Sequence, residues 1–169
     1  MYHLRLARVE DLSALPDIER AANALFADYG LADQLSDVLT PIESLREGVK
    51  TNRLWVAADD FDQPVGFALA GVVGDNAHLD ELDVHPAHGR HGLGTALVEV
   101  VCDWVKTSGY RSITLTTLQH IPWNAPWYQR LGFRVLEDNE LTPALRDLLR
   151  DEILRGLPAD RRVAMCRDL

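Results

Sequence analysis

"LDVHPAHGRHGLGTALVEVV" (Leu82–Val101) runs from a strand-like ending through three glycines into an apolar helical pattern. Strand, glycine loop and helix in that order usually bring backbone amides to an anion, so the kind of loop decides the fold. A phosphate loop built on lysine needs Gly, four residues, Gly, Lys, then Ser or Thr. Gly89 and Gly94 have the spacing, but Thr95 follows Gly94 directly and no lysine is present. A dinucleotide fingerprint could begin at Gly92-Leu93-Gly94, yet its third glycine would fall on Leu97, where a side chain blocks close helix–strand approach. The remaining anion reading needs neither feature. Backbone amides at the helix start, aided by the helix dipole, hold a pyrophosphate, and Gly92 and Gly94 let it come close. From the loop alone, a plain turn into a structural helix is equally open. His85, His88 and His91 recur every third residue, but Pro86 interrupts them, and no metal site is expected.

Outward from this stretch, the chain reads as alternating elements. "YHLRLAR" is a first strand, and Leu12, Leu15, Ile18, Ala22 and Leu25 keep helical spacing with a restart expected at Pro16. "LADQLSDVLTPIESLREGV" is a second helical region, broken near Pro41. "RLWVAAD" and "VGFALAGVV" are strands joined by the turn "DFDQP", and "HLDELDV" is the next strand. The helix from Gly92 to Thr107 carries an apolar stripe of Leu97, Val100, Val101, Trp104 and Val105, and Gly109 closes it. "SITLTTL", a short helix around "APWYQRL", "FRVLE", a helix framed by Thr142, Pro143 and Gly156, and the strand "RRVAMCRDL" complete the order. The pattern predicts an α/β (α+β) domain: a mixed, mostly antiparallel sheet of about seven strands with helices on both faces. With no linker or repeat, residues 1–169 read as one domain.

Composition bounds the function. The net charge of −9, from 26 acidic and 17 basic residues, argues against nucleic acid and agrees with a cationic substrate. Cys102 and Cys166 form no framework and fit reduced thiols in a cytoplasmic protein. No signal-peptide pattern is visible, and no apolar run approaches the roughly 20 residues that span a membrane.

The first stretch is followed some thirty residues later by "WNAPWYQRLGF" (Trp123–Phe133). Leu-x-Val-x-Pro with a basic glycine loop, then Tyr128 four residues before Gly132-Phe133, resembles the GNAT superfamily of acyl-CoA-dependent N-acyltransferases. The resemblance covers nearly the whole chain. It implies a V-shaped cleft between the fourth and fifth strands, with acetyl-CoA as cosubstrate. Backbone groups of Leu82 and Val84 would pair with the pantetheine arm. Amides of Arg90, His91, Gly92, Leu93, Gly94 and Thr95 would hold the pyrophosphate, and Asn124 would contact the cofactor arm. The family usually carries Gln or Arg where this chain has Gly89, so Arg90 and His91 are expected to supply the charge.

The implied reaction moves an acetyl group to a primary amine of a small molecule or a peptide by direct attack in a ternary complex. The amine must lose a proton, and the departing thiolate needs one. Tyr128 is the candidate acid and Glu81 the candidate base, with His78, His120 or water as rivals. Trp123 and Trp127 could line an acceptor site as well as pack a core. Asp28, Asp33, Asp37 and Glu43 could receive a cation, or form a solvated acidic face. A non-catalytic acyl-CoA sensor of the same fold is the alternative, and a homodimer stays open.

Overall fold

The computed structural model describes residues 1–35 and 38–169, so Asp37 lies outside the described residues. Seven strands form: β1 (His3–Leu6), β2 (Leu54–Ala58), β3 (Pro64–Val73), β4 (Asn76–Val84), β5 (Ser112–Leu118), β6 (Arg134–Val135) and β7 (Arg162–Asp168). The helices are α1 (Leu15–Asn23), α2 (Ala32–Leu35), α3 (Ile42–Lys50), α4 (Leu93–Thr107), α5 (Ala125–Arg130) and α6 (Pro143–Leu154). The hydrogen-bonded strand order is β1-β2-β3-β4-β5-β7-β6. This is the mixed α/β sheet that the pattern predicts. The chain divides into two compact units, Met1–Gly71 with Leu79–Val101, and Val72–His78 with Cys102–Leu169.

In the first unit β1 pairs antiparallel with β2, and β2 with β3. The hairpin turn forms because Asp59 Oδ1 accepts from the amides of Phe61 and Gln63, while Asp62 takes the left-handed φ of 58°. Arg5 ties the turn to the start of the helical region. Its Nε donates to Asp62 Oδ1 at 2.7 Å and its Nη1 to Asp11 Oδ2 at 2.7 Å. Pro16 stands in the first turn of α1, after a 3-10 turn at Val9–Ser13, so the helix restarts there. The apolar faces of α1 and α3 meet the strands in a core of Leu12, Leu15, Ile18, Leu45, Leu54 and Phe67, among others. Gly48 lets α3 approach closely, since a Cβ there would lie 2.6 Å from Leu69 Cδ1.

In the second unit β5 pairs antiparallel with all of β7, and β6 pairs with β7 at Arg134 and Val135. The start of β4 runs parallel to β5, with Ala77 opposite Ile113 and His78 opposite Thr114. Thr142 caps α6 by accepting from the Leu145 amide, and Pro143 follows it. Glu152 of α6 is buried, takes Arg162 Nε at 2.7 Å and accepts from the Thr116 hydroxyl at 2.6 Å. That network ties α6 to β5 and β7.

The stripe of α4 is rotated from the predicted one. Leu97, Val101 and Val105 are buried as expected, but Val98 and Cys102 join them, while Val100 and Trp104 are half-buried. This helix is apolar at neighbouring angular positions, so periodicity alone could not choose the face that tertiary packing selects. Both cysteines are unbridged. No helix among the described residues is long and apolar enough to cross a membrane.

Candidate active site

The loop after β4 is built for close backbone approach. Pro86–His88 forms one 3-10 turn, and the His85 ring accepts from the Ala87 amide. Arg90 then takes φ 62° and Gly92 φ 76°. A left-handed arginine costs about 1–2 kcal/mol, which the loop carries next to a glycine that adopts the same region freely. Left-handed residues close together in a turn aim successive N–H groups into a concave face suited to an anion. The first bond of the helix runs from the Ala96 amide to the Gly92 carbonyl, 3.0 Å. The amides of Leu93, Gly94 and Thr95 precede it and have no partner within the helix. Arg90, His91 and Gly92 are exposed, and Leu93 is buried, anchoring the turn. Gly89 has an ordinary φ of −66°.

The histidines are engaged within the loop. The Tyr2 hydroxyl and His88 Nδ1 share a hydrogen bond of 2.9 Å, and the Tyr2 ring lies 5.2 Å from the His91 ring. Tyr2, immediately before β1, thereby braces the loop from outside.

Glu81 and Asp83 stand two residues apart on β4 and meet a third carboxylate, Glu19 of α1. Ligand oxygens of all three lie within 4.8 Å of one another. Thr40 holds the group from beside it. Its amide donates to Glu19 Oε1 at 2.9 Å, and its hydroxyl lies 3.1 Å from Glu19 Oε1 and 3.4 Å from Glu81 Oε2. The Leu82 amide donates to Glu81 Oε1 at 3.2 Å. Glu19 is 3% exposed. Burial, and after it the charge of Glu81, push its carboxyl up to about 7. Burial likewise raises Asp83 well above the carboxylate range, with Glu81 and Glu19 adding to the effect. Three carboxylates this close cannot all ionise cheaply, so the cluster retains a proton at neutral pH unless a cation joins it.

Tyr128 lies on α5 and is buried, with its ring 4.9 Å from Trp127 and 5.5 Å from Phe133. Edge-on contacts on two sides fix the ring plane and hence the direction of the hydroxyl. Asn124 precedes the same helix. Its Oδ1 accepts from the Thr117 hydroxyl of β5 at 2.7 Å, and its carbonyl accepts from the Trp127 and Tyr128 amides. Trp123 is exposed and Trp127 half-buried. Leu82 and Val84 are half-buried on β4.

The rivals for the base separate. His78 is a core residue, 3% exposed, with Nδ1 bonded to the Thr114 hydroxyl at 2.8 Å. Burial, then the charge of Arg162, push it down to about 4, so it is neutral near pH 7. His120 is exposed. The sequence reading missed Glu19 and Thr40. For Glu19 a signal exists: it lies four residues after Leu15 and three before Ala22, a carboxylate on the apolar face of its helix. Thr40 gives no such sign.

Residues 17–133 match the family model described as the acetyltransferase (GNAT) family. Solved structures share the fold. The PaiA N-acetyltransferase from Thermoplasma acidophilum, in complex with coenzyme A, is 17% identical with a TM-score of 0.70, over 100% of this chain and 99% of that one. A GNAT-family acetyltransferase from Staphylococcus aureus is 16% identical with a TM-score of 0.69, over 100% and 99%. The N-acetylglutamate synthase from Neisseria gonorrhoeae, with coenzyme A and N-acetyl-glutamate, is 17% identical with a TM-score of 0.75. All of this chain matches, but it spans only 35% of that protein.

Proposed function

The chain belongs to the acetyltransferase (GNAT) family, and on that premise we propose that it transfers an acetyl group from acetyl-CoA to a primary amine by direct attack in a ternary complex. The observation that carries this reading is the loop at 89–95, where left-handed Arg90 and Gly92 lead into the amides that open α4. Those donors suit the pyrophosphate of coenzyme A, the molecule bound in the Thermoplasma and Neisseria relatives. Arg90 adds a cation at the rim. Leu82 and Val84 offer backbone groups to the pantetheine arm, and Asn124, fixed by Thr117, offers its amide. Residues 1–169 act together as one cytoplasmic N-acetyltransferase domain.

Chemistry follows from two proton movements. The acceptor enters as an ammonium and has no lone pair until it gives a proton to Glu81. Its nitrogen then attacks the thioester carbonyl carbon, whose oxygen the Val84 amide polarises. As the carbon–sulfur bond breaks, Tyr128 donates its phenolic proton to the leaving thiolate, and the second nitrogen proton passes through water to restore the phenol. A phenolic hydroxyl is a hydrogen-bond and proton donor suited to a thiolate leaving group.

Calorimetry with acetyl-CoA tests the first half, with micromolar binding expected. A thiol-release assay across primary amines tests the second. On a working amine, Tyr128→Phe is expected to lower kcat roughly 10²-fold while leaving the KM for acetyl-CoA unchanged. Full activity in that variant assigns the acid elsewhere. The absence of Gln or Arg at Gly89 favours one other reading, an acyl-CoA sensor. Acetyl-CoA binding without thiol release on any amine would select it.

A further inference from the structure

The histidines at 85, 88 and 91 have no part in the proposed chemistry, yet two of them gather around one side chain. The Tyr2 hydroxyl shares its 2.9 Å hydrogen bond with His88 Nδ1, and the two rings meet edge-on at 5.8 Å. The same tyrosine ring lies 5.2 Å from the His91 ring. His85 completes the row, with its ring 5.9 Å from that of His88. The sheet fixes both ends of this row. The His85 amide donates to the Val65 carbonyl of β3 at 2.8 Å, and His3, next to Tyr2, pairs with Ala58 of β2. All of these residues belong to the first compact unit.

The tyrosine contacts fall at His88 and His91, so they bracket Gly89 and Arg90. That is where the loop needs support. The Gly89 amide donates to the Pro86 carbonyl, and the next bonded backbone donor is Ala96. From Arg90 to Thr95 no amide donates to another backbone group among the described residues. Arg90 nevertheless stands at φ 62°, a region that a residue with a Cβ leaves when it is free to do so. Such a conformation persists only where its surroundings over-determine it. Buried Leu93 anchors the loop on the helix side, and Tyr2 meets it on the side of His88. We infer that Tyr2 is a positioning residue for the acyl donor: by holding His88 and His91 it keeps Arg90 left-handed and the loop amides preset for a pyrophosphate. This rests on the acetyltransferase reading for the identity of the anion.

The inference separates the two ends of the donor. Without the clamp, Arg90 relaxes part of the time, and only the remaining fraction of molecules presents the cradle. Apparent affinity falls by that fraction. The penalty on a left-handed arginine sets the scale, roughly fivefold to thirtyfold for any ligand held by the loop. The pantetheine arm is proposed to lie along Leu82 and Val84 of β4, so a ligand without a pyrophosphate is insensitive to Tyr2.

Amide ¹⁵N NMR of the full-length protein tests this without turnover. The probes are sodium pyrophosphate and, separately, pantetheine, which has the arm and no phosphate. Pyrophosphate is expected to shift the amides of residues 90–95. Tyr2→Phe keeps the ring and removes the hydroxyl. It is expected to weaken pyrophosphate, and acetyl-CoA in calorimetry, roughly fivefold or more, with pantetheine unchanged. Tyr2→Ala removes the contacts to both histidines and is expected to fall near the upper end of that range. Tyr2→Phe added to His88→Ala is expected to weaken binding no further, because the hydroxyl acts through His88. Circular dichroism confirms that each variant is folded. Wild-type affinity for pyrophosphate in both tyrosine variants overturns the proposal. So does an equal loss of pantetheine binding, which would make Tyr2 a general structural support, and so does a wild-type loop that pyrophosphate leaves unshifted. Tyr2-dependent pyrophosphate binding in a protein that releases no thiol from acetyl-CoA with any amine would sink the acetyltransferase reading and leave the clamp standing.

Discussion

At the scale of single residues, Glu19 shows how burial turns a side chain into a pH-dependent load. Its folded carboxyl titrates at about 7, against 4.5 for an unperturbed glutamate. Between those values the folded chain keeps a proton that the unfolded chain has released. Stability from this group is therefore full below about pH 4.5 and is lost as pH rises through 7. Relative to Glu19→Gln, the protein is expected to lose on the order of 3 kcal/mol across that window, read as urea midpoints at a series of pH values. A gain with rising pH would mean that Glu19 is ionised in the fold. Gly89 makes the opposite kind of point. Its φ of −66° and ψ of 167° suit any residue, and a Cβ would lie a tight 3.2 Å from the Pro86 carbonyl, which must give by a few tenths of an ångström. Gly89→Arg is expected to fold and to tighten acetyl-CoA binding roughly threefold to tenfold, because a cation would join the amides proposed to hold the pyrophosphate. Calorimetry reads this directly. Unchanged affinity would show that Arg90 already supplies all the charge the loop can use.

Elements were legible where their ends carry chemistry. Thr142, Pro143 and Gly156 frame α6 as their residue types require, with Gly156 at φ 99°. Pro16 restarts its helix, and Gly109 at φ 85° closes α4. What holds α6 in place was not legible. Glu152 looks like a solvated helix charge in the sequence, yet it is 5% exposed and joined to Arg162 and Thr116. Replacing it by alanine leaves a nearly buried guanidinium without its counter-charge. Glu152→Ala is expected to cost about 3–5 kcal/mol in urea unfolding, well above an ordinary surface substitution. A loss below about 1 kcal/mol would show the pair to be solvated instead.

For the molecule as a whole, the proposed reaction asks an acidic chain to bind an anionic cosubstrate, and the first unit carries the loop proposed for it. The loop at 89–95 offers backbone dipoles and Arg90, so affinity does not depend on a basic surface. The acidic charge is put to use nearby in sequence, where Glu81 and Asp83 lead along β4 into that loop. One strand therefore leads from a cluster of carboxylates to a loop of free backbone amides. The net charge of −9 agrees with a cationic substrate, but bulk charge is also a solubility device.

The sequence by itself determined the order of strands and helices, the helix ends, and the loop between Val84 and Leu93. Each depends on periodicity or on backbone preference within a few residues. Only the tertiary structure decided which face of α4 is buried, that His78 is a core histidine, and that Glu19 and Thr40 join Glu81 and Asp83. Burial and electrostatic coupling are properties of groups far apart in the chain. Glu19 and Glu81 are separated by most of the first unit, and only folding brings their charges close enough to share a proton.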